Sequence, residues 1–151
     1  MPVIDPVSSD SDFPKKTTVA VIGGGVIGVA TALELSERGV PVVLLEKGII
    51  AGEQSSRNWG WCRQMGRDSR EIPLILESLK LWREMNARVG AETGYRQCGV
   101  IYLAENEVEL AAREKWYAET AKACGLDTKL VSGIEAERLQ PGSTRPWKGA
   151  L

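Results

Sequence analysis

Beyond residue 16 the chain alternates between short continuous apolar runs and longer stretches in which apolar residues recur every three or four positions. Thr18 to Ile22 is a β-branched, nearly continuous apolar run, the pattern of a central parallel strand covered on both faces. It stops at three glycines. Val26 to Arg38 then carry alanines and leucines at helical spacing, Gly39 follows as a C-terminal cap, and Val42 to Leu45 form a second apolar strand. This order predicts a compact strand, helix, strand unit with parallel strands.

The rest of the chain changes period. Pro73 to Val89 place Leu74, Leu76, Leu79, Trp82 and Met85 broadly on one helical face, suited to core packing. Gln97 to Ala104 reads as a strand. Asn106 followed by Glu109 forms a capping-box pattern, opening a helix that runs through Cys124 and ends at Gly125. A short strand is predicted at Thr128 to Val131. Ser132 and Glu135 open a further short helix that stops by Pro141, and Arg145 to Leu151 reads as the entrance to another strand. The opening residues, MPVIDPVSSDSDFPKK, have neither a basic start nor an apolar centre; residues 1–16 are expected to be a flexible tail rather than a signal peptide.

Composition narrows the partners. With 151 residues, 43% of them hydrophobic, the chain can bury one ordinary core. Its 19 basic and 20 acidic residues give a net charge of -1, which leaves no electrostatic footprint for nucleic acid or an anionic membrane. Small molecules are the expected partners. No apolar run approaches the roughly 20 residues of a transmembrane helix. Cys62, Cys98 and Cys124 are widely separated and form no CxxC pair, so reduced thiols, a cytoplasmic location and no metal site are expected. There is no histidine, which removes the commonest general base and the Ser-His triad.

The turn after the first strand holds Gly23, Gly25 and Gly28 in the order GxGxxG. Gly23 permits a tight turn, Gly25 lets a pyrophosphate approach the backbone, and Gly28 lets the helix pack against the strand. Val26 and Ile27 open the helix, whose amino terminus offers N–H groups and partial positive charge to a pyrophosphate. Ala32 suits a close helix-to-sheet contact. Glu46, twenty-odd residues from the first glycine and at the end of the second strand, can accept hydrogen bonds from both hydroxyls of an adenosine ribose. An acid there repels a 2′-phosphate. The pattern predicts a dinucleotide site of a Rossmann-like α/β fold, for FAD or NAD rather than NADP.

After Glu46 the sequence runs KGIIAGEQSSRNWGWCRQMGRD, polar and dense in glycine, tryptophan and arginine, where an NAD domain would continue with another helix and a third parallel strand. The pattern of Gly52, Ser55, Ser56, Arg57, Asn58 and Gly60 resembles the second FAD-contacting segment of the D-amino-acid oxidase superfamily, and the resemblance extends from about Thr18 to the end of the chain. It implies FAD as the cofactor. It also implies Ser55 and Ser56 near the pyrophosphate and ribityl chain, Arg57 and Asn58 farther along, Gly60 permitting close approach of the flavin, and Lys47 flanking the adenosine. Arg63 matches the place where an arginine reaches the substrate carboxylate in the sarcosine-oxidase branch. Trp59 and Trp61 around the glycine depart from that pattern.

The same resemblance implies an FAD-dependent oxidoreductase acting on the C–N bond of an amino acid or secondary amine, by hydride transfer to flavin. It divides the chain into residues 17–72, the start of an FAD-binding domain; 73–92, a helix of that domain; and 93–151, the first part of an α+β substrate-binding domain. A member of the superfamily is much longer, so this chain is expected to be an N-terminal portion, inactive alone and completed by a missing C-terminal polypeptide or a partner chain. Two other readings stay open on the sequence: an NAD-dependent dehydrogenase domain, and a non-catalytic nucleotide-binding subunit of a heteromeric dehydrogenase. No catalytic residue is assigned.

Overall fold

A computed structural model describes residues 4–151, so the first three residues of the expected tail lie outside the described residues. Residues 4–16 form no helix or strand and are almost wholly exposed. The chain divides into two compact units, one ending at Trp61 and the other comprising Cys62–Leu151.

In the first unit, β1 (Val19–Ile22) runs parallel to β2 (Val42–Leu45), with Val19 opposite Val42 and Ile22 opposite Leu45. Between them lies α1 (Val26–Glu37). Its end follows the expected chemistry: Gly39 takes a φ of +70°, and its N–H donates to the Ser36 carbonyl at 2.9 Å, a left-handed turn that costs a side-chain-free residue little. Cover on both faces is not met among the described residues. Val19 and Val21 are half-buried, whereas Ala20 and Ile22 are exposed, Ile22 by 86%, because only one face of β1 is packed by α1.

The second unit begins with α2 (Ile72–Val89), started by Pro73 and ended by Gly90 at a φ of +67°. Its sheltered face is Ile72, Ile75, Leu79, Trp82 and Met85. Leu74 and Leu76, expected on that face, are exposed: the row of 3.6 spacing starts at Ile72, and the two leucines fall on either side of it. Trp82 stacks on Tyr95, ring centroids 5.8 Å apart, which ties the chain after α2 back onto the helix.

A small antiparallel sheet follows. β3 (Leu103–Ala104), β4 (Val131–Ser132) and β5 (Gly149–Ala150) lie in the order β3-β5-β4, so the last strand is central. The strand expected over Gln97–Ala104 is confined to its end, because ladder bonds exist only where β5 is alongside: Tyr102 and Leu151 exchange N–H···O bonds of 2.8 and 3.0 Å, and Lys148 N–H donates to Ala104. The strand expected at Thr128–Val131 is likewise displaced to Val131–Ser132, the residues opposite β5.

Two helices flank this sheet. The first, α3 (Glu107–Trp116), continues through a wider π turn at Tyr117–Ala121 to Gly125. Its cap is the expected one, with a shift of one residue. Asn106 Oδ1 accepts from Glu109 N–H at 2.9 Å, and the Glu109 carboxylate reaches back to the N–H of Glu105 rather than of Asn106. The second, α4 (Gly133–Leu139), is capped by Ser132, whose Oγ accepts from Glu135 N–H. Small residues allow close packing here: Ala104, Ala121, Ala136 and Ala150 are fully buried, and a methyl at Gly133 would lie 2.1 Å from the Trp147 carbonyl oxygen.

Candidate functional site

The glycine turn of the first unit brings β1, α1, β2 and the segment after Glu46 together. Gly23 has a φ of +106°, which turns the chain sharply out of β1. At Gly28 an added Cβ would sit 1.8 Å from the Gly23 carbonyl oxygen and 3.4 Å from Val21 Cγ1. The third glycine therefore allows α1 to start directly against the turn, and only glycine fits there. Gly25, the residue before α1, has no side-chain cap of its own. A Cβ there would lie 3.1 Å from Ser55 Oγ.

Ser55 replaces the missing cap from a distance in sequence. Its Oγ accepts the Val26 N–H at 2.8 Å, at the mouth of α1. The next N–H groups of the helix have no intrahelical acceptor, and together with the helix dipole they suit an anion. A cleft of ≈ 480 Å³ opens here, lined by the turn glycines, Val26, Ile27, Ser55 and Asn58. Thr31 and Gln54 also line it, although no motif singled them out. Thr31 lies one helical turn after Ile27 and its hydroxyl donates to that residue's carbonyl at 2.8 Å, and Gln54 belongs to a 3₁₀ turn, Gln54–Ser56.

Glu46 is placed by the turn. Its two carboxylate oxygens accept from Gly24 N–H at 2.7 Å and Gly48 N–H at 2.8 Å. These two amides, Gly24's above all, hold the carboxyl below the ordinary glutamate range, so it is a fixed anion at neutral pH. Each oxygen keeps a lone pair for a further donor. Lys47, exposed beside it, adds a favourable charge. Ile50 packs over Gly24, and Ala51, at a φ of +59°, donates its N–H to the Gly24 carbonyl at 2.8 Å.

The residues after Ser55 hold the segment's shape. The Ser56 hydroxyl donates to the Glu53 carbonyl at 3.1 Å, and Arg57 pairs with Glu53 at 3.9 Å. Asn58 Nδ2 donates to the Ser55 carbonyl at 2.6 Å, and its Oδ1 accepts from Gly60 N–H, whose residue has a φ of +68°. Glu46, Lys47, Ser56, Arg57 and Gly60 do not line the cleft itself. Trp59 and Trp61 meet edge to face with centroids 5.3 Å apart.

Arg63 belongs to the second unit. It donates to the Met65 carbonyl and lies over the Tyr102 ring, 5.7 Å from the centroid. The neighbouring Cys62 thiol is pushed up by partial burial, away from a reactive thiolate. Among the described residues no group of three acids or cysteines is placed to hold a metal ion, and no helix is long and apolar enough to cross a membrane.

The turn fits the group that the sequence suggests: a cradle closed to any side chain at position 28, a helix mouth for phosphate, and a fixed carboxylate at the end of β2. Comparison with known proteins agrees. The family model described as FAD dependent oxidoreductase matches residues 18–151. The L-amino acid deaminase from Proteus vulgaris superposes with a TM-score of 0.84 at 36% identity, over 99% of this chain and 35% of that one. Glycine oxidase of Geobacillus kaustophilus (strain HTA426) is 36% identical over 98 residues, 60% of this chain and 26% of its own length. Sarcosine oxidase subunit beta of Arthrobacter sp is 30% identical over 133 residues, 85% of this chain and 30% of its own. The chain thus spans about a third or less of the length of these relatives.

Proposed function

Because the chain belongs to the FAD-dependent oxidoreductase family that includes glycine oxidase and sarcosine oxidase homologues, we propose that its protein oxidises the C–N bond of an amino acid or secondary amine. The observation that carries the cofactor half of this reading is the glycine turn, with Gly28 pressed on the Gly23 carbonyl and Glu46 held on the Gly24 N–H. The substrate half is supported by the relatives, which include an oxidase of glycine and a deaminase of L-amino acids.

In this reading the mouth of α1 and the Ser55 hydroxyl receive the pyrophosphate, and Glu46 receives the ribose hydroxyls. Val26 and Ile27 line the approach, with Ser56, Arg57, Asn58 and Gly60 holding the irregular path beyond. Lys47 flanks the adenosine. FAD, when bound, supplies the hydride acceptor, and the protein's part is to orient the carbon that bears nitrogen. Arg63 meets the substrate carboxylate, for which a planar guanidinium is suited. Residues 17–72 and 73–92 serve the cofactor-binding domain and 93–151 the substrate-binding domain. The beta subunit among the relatives supports a partner chain, and the three free cysteines support a reducing, cytoplasmic compartment.

The test is a panel of D-amino acids, L-amino acids, N-methyl amino acids and opine-like secondary amines, mixed anaerobically with the FAD-loaded protein. Bleaching of the flavin absorbance by members of this panel is expected. Bleaching by a 2-hydroxy acid or simple alcohol instead would remove the amine assignment and leave the FAD assignment standing.

A further inference from the structure

The order GxGxxG leaves its second position open, yet the residue there, Gly24, is closely surrounded. A Cβ on Gly24 would overlap Ile50 Cδ1 and lie 3.1 Å from Glu46 Cβ and 3.3 Å from Glu46 Cγ, so the residue sits between the Glu46 side chain and the tip of Ile50. Both of its backbone groups are also committed, the N–H to Glu46 Oε2 at 2.7 Å and the carbonyl to Ala51 N–H at 2.8 Å. Ile50 and Ala51 are the middle residues of a turn closed by Gly52 N–H on the Ile49 carbonyl at 2.9 Å. Among the described residues Ala51 is the one non-glycine residue with a positive φ, +59°. A residue with a Cβ keeps that conformation only where its surroundings over-determine it, and such residues cluster at ligand clamps.

We propose that Ile50 is a positioning residue for the cofactor: through its contact with Gly24 it holds the Glu46 carboxylate where that group meets the adenosine ribose. The proposal rests on the reading of Glu46 as the ribose contact and extends it to an apolar residue that does not line the cleft. The two amide bonds that hold Glu46 differ in shelter. The one from Gly48 is exposed to water, and the one from Gly24 is part-buried. Apolar cover from Ile50 keeps water from competing for the Gly24 N–H, and a hydrogen bond screened less by water is the stronger one. Gly24 lacks a Cβ and would otherwise be free to turn. Ala51 anchors its carbonyl, and Gly23 N–H on the Leu45 carbonyl at 2.7 Å anchors the residue before it, so the N–H stays aimed at the carboxylate. The lone pairs that Glu46 has left are then preset for the two hydroxyls, as a supporting layer of residues does for a binding group.

The experiment loads the full-length protein with FAD or with its 2′-deoxyadenosine analogue, which lacks one of the hydroxyls that face Glu46, and follows release by the fluorescence of the freed flavin. The parent should release the analogue about tenfold faster than FAD, the scale of one hydrogen bond to a charged group. Ile50→Val removes only Cδ1, the atom over Gly24, and should reduce that ratio to about threefold, the scale of one methyl lost from a packed contact. Ile50→Ala should bring it near one. Ile50→Leu, which restores a methyl of similar reach, should recover most of the parent's ratio. A residue serving the fold alone would speed the release of both flavins by the same factor, or lower the melting temperature with the ratio unchanged, and either result overturns the proposal. Ile50→Val carries the test if Ile50→Ala does not fold. Glu46→Gln separates the two readings: if it abolishes the ratio while the Ile50 variants keep it, the role of Ile50 fails and the Glu46 reading stands. If Glu46→Gln keeps the parent's ratio, or the parent releases both flavins alike, both fail.

Discussion

The Ser55 hydroxyl accepts the backbone N–H of Val26 at 2.8 Å, so a residue 29 positions away caps a helix whose own N-cap residue, Gly25, has no side chain with which to do so. Caps of this kind contribute about 1 kcal/mol. Ser55→Ala should lower stability by roughly that amount and weaken FAD more than it weakens the fold, read by flavin titration beside chemical denaturation. Gly25→Val should place its side chain against Ser55 Oγ and abolish stoichiometric flavin with α1 retained by circular dichroism. A Gly25→Val protein carrying a full complement of FAD would show that the pyrophosphate lies elsewhere.

Gly28 gives a sharper test. A methyl there overlaps a backbone carbonyl oxygen, which has no rotamer through which to retreat. Gly28→Ala should therefore cost about 1–3 kcal/mol or more, the range of an overpacked core, and should displace the start of α1. The check is the denaturation midpoint together with flavin content. Gly39→Ala, where an added Cβ meets nothing within 4 Å, tests left-handed strain without overlap and should lose less.

Glu46 predicts a pH dependence. Its folded pKa lies below the ordinary value of 4.5, so it stabilises the fold fully above that value, and the stabilisation is lost as pH falls through the lowered folded value. Glu46→Gln should be less stable than the parent at pH 7, and the two melting curves should converge only below about pH 4.5. The same variant should weaken FAD by roughly tenfold at neutral pH, the scale of a hydrogen bond to a charged group. Parallel stability profiles down to pH 3 would contradict this account of the carboxylate.

At α3, Asn106→Ala removes both the acceptor for Glu109 N–H and the donor to its carboxylate. A loss of about 1 kcal/mol is expected, with cofactor content unchanged. Thermal unfolding followed by far-ultraviolet circular dichroism measures it.

For Arg63, lysine keeps the charge but not the fork. Arg63→Lys should raise KM for an amino-acid substrate while leaving flavin content as in the parent. Steady-state kinetics with a substrate that passes the anaerobic panel is the measurement; a fall in flavin content and melting temperature together would assign Arg63 to the fold alone.

The β1-α1-β2 unit was legible because its signals are local: β-branched runs, a glycine at each sharp turn, an acid at a strand end. The caps at Asn106 and Ser132 were legible for the same reason, being set within four residues. By contrast, the length of the strand at Gln97–Ala104 depends on how far β5 runs alongside it, and no pattern within those eight residues records that. On α2, Leu74 and Leu76 satisfy a loose helical count but lie off the sheltered row, which begins at Ile72, because the residue that starts the row is set by packing rather than by spacing. The Val26–Ser55 bond and the contact of Arg63 with the Tyr102 ring could not be read at all. They join residues far apart in sequence, and a polar residue alone does not name its partner.

The order β3-β5-β4 also sets a timetable. During synthesis Ala104 emerges 45 residues before Gly149 (149 less 104), its partner in the ladder. At roughly 5–20 residues per second, β3 waits on the order of 2–9 s, and β4 a shorter time, with their backbone edges unpaired. They do not pair with one another in the finished sheet, so nothing closes until the central strand is threaded between them. The nascent second unit is thus a holding state, open to chaperone capture, whereas the parallel pair of the first unit can close as soon as Leu45 has left the ribosome.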